Sequence, residues 1–176
     1  MLGGGLPAAG IALQTGIAVG RYWPWLALAV LIPVWSISLF DRGIWLPDEP
    51  REYDIAYNML QSGDLVVPQL AGAPFVEKPP LAYWVQSASM RLFGSSIAAA
   101  RVSNLLWAAL AVLCIGALAG DAAGERDRDR AALIAAIVCG TIVLVLQVQI
   151  WLATDATLVG LTAAALLSGW RMAHAD

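Results

Sequence analysis

Charged side chains are scarce in this sequence: 13% of its 176 residues are Asp, Glu, Lys or Arg, 60% are hydrophobic, and the mean hydropathy is +0.71. A soluble globular domain carries about 25% charged residues and a disordered chain few apolar ones, so both classes are excluded. Basic residues are too few, within a net charge of −3, to build the clustered Lys and Arg surface that nucleic acid requires. Histidine occurs once and cysteine twice, at Cys114 and Cys139, both inside apolar stretches. That supply excludes a Cys/His metal site, and a free cysteine in such surroundings behaves as a small hydrophobe. No charge precedes Arg21, so the basic start of a cleaved signal peptide is missing. Six glycines and a proline in the first twenty residues make 1–21 a flexible cytosolic or interfacial leader.

What the chain does have is apolar length, and a spanning helix needs about 20 such residues. The pattern predicts an all-α membrane protein with about four transmembrane helices and two interfacial helices in the first outer loop. The first span is 22–40, with Tyr22, Trp23 and Trp25 at one end, Trp35 and Phe40 toward the other, and a kink at Pro33. The interval 41–96 holds seven of the thirteen acidic residues, so it lies outside the bilayer. Within it, 50–61 and 79–93 read as short amphipathic helices lying at the interface. Tyr53, Ala56, Tyr57 and Leu60 form the apolar face of the first, and Leu81, Trp84, Val85, Ala88 and Leu92 that of the second. The second span is 97–119, near whose start Arg101 can snorkel to the headgroups beside Asn104. A charged loop follows at 120–130. From 131 to 170 the only ionisable group is Asp155, which predicts spans at 131–150 and 153–170, a turn near Gln147 and Gln149, and a tail at 171–176. Basic residues divide equally between the two sides. Their density in the short loop with Arg126, Arg128 and Arg130 favours that loop inside and 41–96 outside.

Few residues in this plan carry chemistry. Asp155 emerges on the same side as 41–96, either as an N-terminal helix cap or as a functional acid. Asp48 and Glu49 precede Pro50 and admit the same two roles. Lys78, in Glu77-Lys78-Pro79-Pro80, stands at a helix start where the dipole disfavours a cation, and the prolines stiffen the backbone around it. It is either a snorkelling anchor or a fixed cation for a lipid phosphate.

The run Pro47-Asp48-Glu49-Pro50-Arg51, then Ser62-Gly63-Asp64, Phe75-Val76-Glu77-Lys78-Pro79-Pro80-Leu81-Ala82-Tyr83-Trp84, Leu92-Phe93-Gly94 and Ala100-Arg101, resembles the first outer loop of the polyprenyl-phosphate-dependent glycosyltransferases of GT-C type. That superfamily includes protein O-mannosyltransferases and the bacterial lipid A aminoarabinose transferase. The resemblance implies an enzyme that transfers a sugar from a polyprenyl-phosphate donor to a lipid or protein acceptor. It places Asp48 and Asp155 as catalytic acids and Lys78 on the lipid-linked phosphate. Glu77, Glu49 and Arg51 are placed among the substrate-binding groups; Arg101 is left open. No metal ligand is assigned, and whether a divalent metal takes part is left open. Members of the superfamily have eleven or more spans, so the chain is expected to be the N-terminal portion of such an enzyme. The alternative is a small non-catalytic four-span protein that binds lipid phosphate or assembles with a partner.

Overall fold

A computed structural model describes residues 20–40, 42–142 and 151–175. The expected turn at Gln147 and Gln149, and nearly all of the leader, lie outside these residues. The described chain is mostly helical. After one 3-10 turn at Gly20–Tyr22, its helices are α1 (Trp23–Phe40), α2 (Asp48–Ser62), α3 (Leu81–Phe93), α4 (Ile97–Ala123), α5 (Arg128–Thr141) and α6 (Asp155–Ala173). Between α2 and α3, Gln69–Leu70 and Ala73–Pro74 pair as a minimal antiparallel ribbon. Of the helices, α4 and α6 are long and apolar enough to cross a bilayer.

The helix limits follow local chemistry. Gly63 adopts a left-handed φ of 72° and closes α2 by donating to the Met59 carbonyl at 3.0 Å, a conformation that glycine takes without penalty. Asp64 then accepts from the Val66 and Val67 amides and turns the chain. Ser96 caps α4 by accepting from the Ala99 amide at 3.1 Å. Pro33 lies inside α1, as the sequence predicts.

The long helices alternate in direction. Trp23, at the start of α1, lies against Gly116 of α4, while Leu39 near its end accepts from Arg101 near the start of α4. α5 returns beside α1, and the Trp35 indole donates to the Gly140 carbonyl at 3.1 Å. α6 starts near Asn104, which donates to the Trp151 carbonyl at 2.7 Å, and ends where Arg171 meets Asp121 at 2.9 Å. One core joins α1, α4 and α5 through Leu31, Trp35, Ala108, Val112 and Ala136; a smaller one joins α4 and α6 through Ala111, Cys114 and Ala163. Alanine and glycine at these contacts let the backbones approach closely, the usual means of helix association where lipid supplies no hydrophobic drive.

The loop helices pack on each other and on the start of α4, around Ile55, Met59, Phe75, Tyr83 and Met90. Their buried faces overlap only in part with the apolar faces read from the sequence. α2 buries Glu49, Glu52, Ile55, Ala56 and Met59, leaving Tyr53, Tyr57 and Leu60 half-buried at the edge. α3 buries Gln86, Ser87 and Ser89 and turns Trp84, Ala88 and Leu92 outward. Two of the inward hydroxyls are satisfied there, Ser87 donating to the Ala56 carbonyl and Ser89 to the Ala99 carbonyl. Arg101 is likewise not a snorkelling residue: it is 1% exposed.

A methyl on Gly116 would sit 2.6 Å from the Trp23 ring and 2.9 Å from the Ala132 carbonyl oxygen, whereas one on Gly169 meets nothing within 4 Å. Gly116→Val is therefore expected to cost about 1–3 kcal/mol through overpacking. Gly169→Ala is expected to be neutral or to gain up to about 1 kcal/mol. Thermal unfolding in detergent micelles reads both; equal effects would remove the close α1–α4–α5 approach.

Candidate active site

The segment between α1 and α4 is organised by one carboxylate. Glu49 has no exposed surface, and both of its oxygens are taken by donors of the chain itself. Arg101 grips it as a fork, Nε to Oε1 at 3.0 Å and Nη2 to Oε2 at 2.7 Å. Arg42 adds bonds of 2.9 and 2.6 Å from the other side. The Trp45 amide donates to Oε2 at 2.8 Å and the Leu152 amide to Oε1 at 2.9 Å. The remaining Arg101 donors reach the Leu39, Arg42 and Gly43 carbonyls. The end of α1, the start of α2, the start of α4 and the approach to α6 thus meet at a single group. Burial pushes the Glu49 carboxyl up, but the hydrogen bonds from Arg42 and Arg101, with those from the Leu152 and Trp45 amides, outweigh it and bring its pKa down to about 2.

This geometry separates residues that the sequence grouped together. Glu49, expected among the substrate-binding groups, is enclosed by protein because two arginines require its charge there. Asp48, its neighbour, points elsewhere: its side chain is 32% exposed and accepts from Arg51 at 3.0 Å. The N-cap position of α2 is Pro47, whose side chain has no acceptor to offer, and the bond that Asp48 accepts comes from Arg51. Arg51 lies 3.9 Å from Glu52, and Glu52 accepts from Lys78 at 2.6 Å. Asp48, Arg51, Glu52 and Lys78 therefore form one continuous chain of alternating charge. Glu52 is wholly buried within it, and the other three open to the surface. Lys78 is the only lysine in the sequence. Glu77, beside it, is exposed.

Asp155 is the first residue of α6, exposed, with Thr154 preceding it and no side-chain cap bond. It lies three residues beyond Leu152, whose amide bonds Glu49, so it opens at the same end of the fold as Asp48. Trp45 and Trp151 pack edge to face at 6.4 Å and bridge the two segments. Sequence reading missed Glu52 altogether and left Arg101 open. For Glu52 the available signal is its position, three residues after Glu49 and so on the same face of α2. Among the described residues, no group of three or more His, Cys, Asp or Glu side chains could hold a metal ion. A separate hollow of about 300 Å³, lined by Asp121, Arg128, Trp170, Arg171 and His174 among others, lies at the far end of α4 from these groups.

Residues 77–176 match the family described as dolichyl-phosphate-mannose-protein mannosyltransferase. Over 146 residues the chain is 34% identical to an undecaprenyl phosphate-alpha-4-amino-4-deoxy-L-arabinose arabinosyl transferase of Serratia proteamaculans, an overlap of 83% of this chain and 26% of that protein. The same description and identity apply to a protein of Edwardsiella ictaluri over 147 residues, again 83% and 26% of the two chains. Among solved structures, ArnT from Cupriavidus metallidurans bound to undecaprenyl phosphate is similar at a TM-score of 0.72 and 28% identity, over 83% of this chain and 26% of that one. Its apo state is similar at 0.73, over 88% and 28%. The chain spans about a quarter of the length of these relatives.

Because the Glu49 carboxyl is held below its ordinary value of 4.5, its contribution to stability is complete above that pH and is lost as pH falls toward 2. The amount at stake is on the order of 3 kcal/mol. In detergent, the wild-type melting temperature should drop between about pH 5 and pH 3. Glu49→Gln, already less stable at neutral pH, should lose less over that range. Equal acid sensitivity of the two proteins would remove Glu49 from the account.

Proposed function

The chain belongs to the dolichyl-phosphate-mannose-protein mannosyltransferase family, and from that membership and the site's geometry we propose that its first outer loop forms part of a sugar-transfer centre. The donor is a polyprenyl-phosphate-linked sugar and the acceptor a lipid or protein hydroxyl or phosphate. The observation that carries this reading is the open charge chain of Asp48, Arg51, Glu52 and Lys78. It sets an acid and a cation of opposite duty at one mouth on the same edge of the fold.

In this reading Asp48 accepts the proton of the attacking hydroxyl, and Lys78 stabilises the charge that grows on the departing polyprenyl phosphate. Arg51 and Glu77 contact the donor around them. Asp155 brings a second acid to the same mouth. Glu49 acts at one remove, by fixing where Asp48 and Asp155 stand.

The membrane frame has its own support. Arg101 and Asp121 are twenty residues apart on α4 and so about 30 Å along its axis, the thickness of the bilayer's hydrocarbon core. One belongs to the Glu49 cluster, the other to the Asp121–Arg128–Arg171 cluster at the opposite end. The alternating helices then form four spans, with α2 and α3 at the outer interface of the plasma membrane and the outward face of Trp84 and Leu92 toward lipid.

Asp48→Asn removes the base and keeps the side chain's shape. Sugar transfer from a polyprenyl-phosphate donor, measured in membranes at matched protein level and thermal stability, should fall about 10²- to 10⁴-fold. Near-normal turnover would sink the catalytic assignment. For the topology, single cysteines at Gln61 and Arg126, in a background lacking Cys114 and Cys139, should label from opposite sides with an impermeant reagent. Labelling from one side would overturn the four-span arrangement.

A further inference from the structure

Glu52 is given no part in the chemistry above, yet it is a buried charge at the centre of the site. It lies one turn beyond Asp48 on α2, with no exposed surface. Its Oε1 accepts from the Lys78 ammonium at 2.6 Å, and its Oε2 is buried without a hydrogen-bond partner among the described residues. The Tyr83 hydroxyl, facing it from α3, is buried and equally unpartnered. Burial, and next the charge of Glu52, push that phenol above its ordinary range, so it stays protonated and able to donate. Three acids, Asp48, Glu52 and Glu77, surround two cations, Arg51 and Lys78, which leaves this cluster at a net charge of −1. A phosphate approaching Lys78 meets an ammonium whose charge is already matched and a carboxylate directly behind it.

We propose that Glu52 is a competing counter-ion for Lys78, against which a lipid-linked phosphate must displace the ammonium, so that Glu52 limits how tightly the phosphate is held. This rests on Lys78 as the phosphate-binding group. An ammonium carries three donors on a rotatable stem, so it turns from one anion to another without moving the backbone, which a planar guanidinium fork does not. As it turns, the Tyr83 hydroxyl takes its place at the carboxylate, and Glu52 is not left as an unpaired buried charge. The gain lies in release: once the sugar has gone, the remaining lipid phosphate is shed to the membrane because Glu52 reclaims the ammonium.

The single lysine makes the test direct. Lysine labelled with carbon-13 at the ε-methylene gives one side-chain NMR signal from the whole chain in detergent micelles, and farnesyl phosphate is titrated against it. Wild type should shift on binding. Glu52→Gln should bind at least about tenfold more tightly, since a like charge beside the phosphate is removed. Glu52→Asp, which keeps the charge but draws it back from the ammonium, should fall between them and serves if the glutamine variant does not fold. A structural defect would weaken binding, so a gain is not explained by damage. A normal wild-type shift with unchanged or weaker binding in both variants overturns the role of Glu52 alone. No wild-type shift, together with equal farnesyl phosphate retention by Lys78→Met, overturns the phosphate role of Lys78 itself. Inorganic phosphate, titrated in parallel, should bind far more weakly; equal affinity would overturn a lipid as the source of the phosphate.

Discussion

The buried pair of Glu49 and Arg101 is the constraint on which the outer half of this fold depends. Neither group could be placed there alone, because an unpaired charge out of water costs several kcal/mol. Together they are affordable only because their surplus bonds are also satisfied: Arg42 and two backbone amides complete the carboxylate, and three carbonyls complete the guanidinium. Those partners come from the end of α1, the connector that follows it and the segment before α6, so satisfying one ion pair fixes the ends of α1, α2, α4 and α6 relative to one another. The open groups Asp48 and Asp155 inherit their positions from it. Rigid placement of this kind would serve the proposed transfer centre, since misplacement by about 1 Å costs rate heavily.

The ends of the two loop helices at Gly63 and Gly94 could be read from the residues, because a glycine stop acts locally; α5 instead ends at Thr141, inside the expected span 131–150. The motif residues Asp48 and Lys78 and the later Asp155 lie at one end of the molecule. What the sequence reading left undecided was which side of each loop helix the rest of the fold covers; it placed both helices at the interface and marked their apolar faces. In α3 the apolar side turns out, and Gln86, Ser87 and Ser89 pack within. For α2 the buried stripe runs through two glutamates. Their partners, Arg101 and Lys78, lie 52 and 26 residues away in sequence, and pairings at that range leave no periodic trace. Whether a carboxylate is a cap, a contact or a clamp was therefore not decidable from Asp48-Glu49 as a dipeptide. It depended on which of the two met an arginine arriving from another helix.

Arginine and lysine divide the work along lines set by their chemistry. Arg42 and Arg101 occupy the enclosed positions, where a planar fork can meet two oxygens and a row of carbonyls at once, while Arg51 opens to the surface. The one lysine stands at the opening, 28% exposed, on a carboxylate it can leave. A substitution between them would not be conservative at either place.

The Leu152 amide that completes Glu49 comes 103 residues after it. In a chain made from its N-terminus at about 5–20 residues per second, roughly five to twenty seconds separate the synthesis of the two. For that interval the acid has Arg42, then Arg101, but not its last partner. The segment between α1 and α4 therefore cannot settle as an independent early unit while synthesis proceeds. Its closure is deferred until the segment preceding the last described helix has been delivered to the same face of the membrane, which ties assembly of this site to the order of membrane insertion.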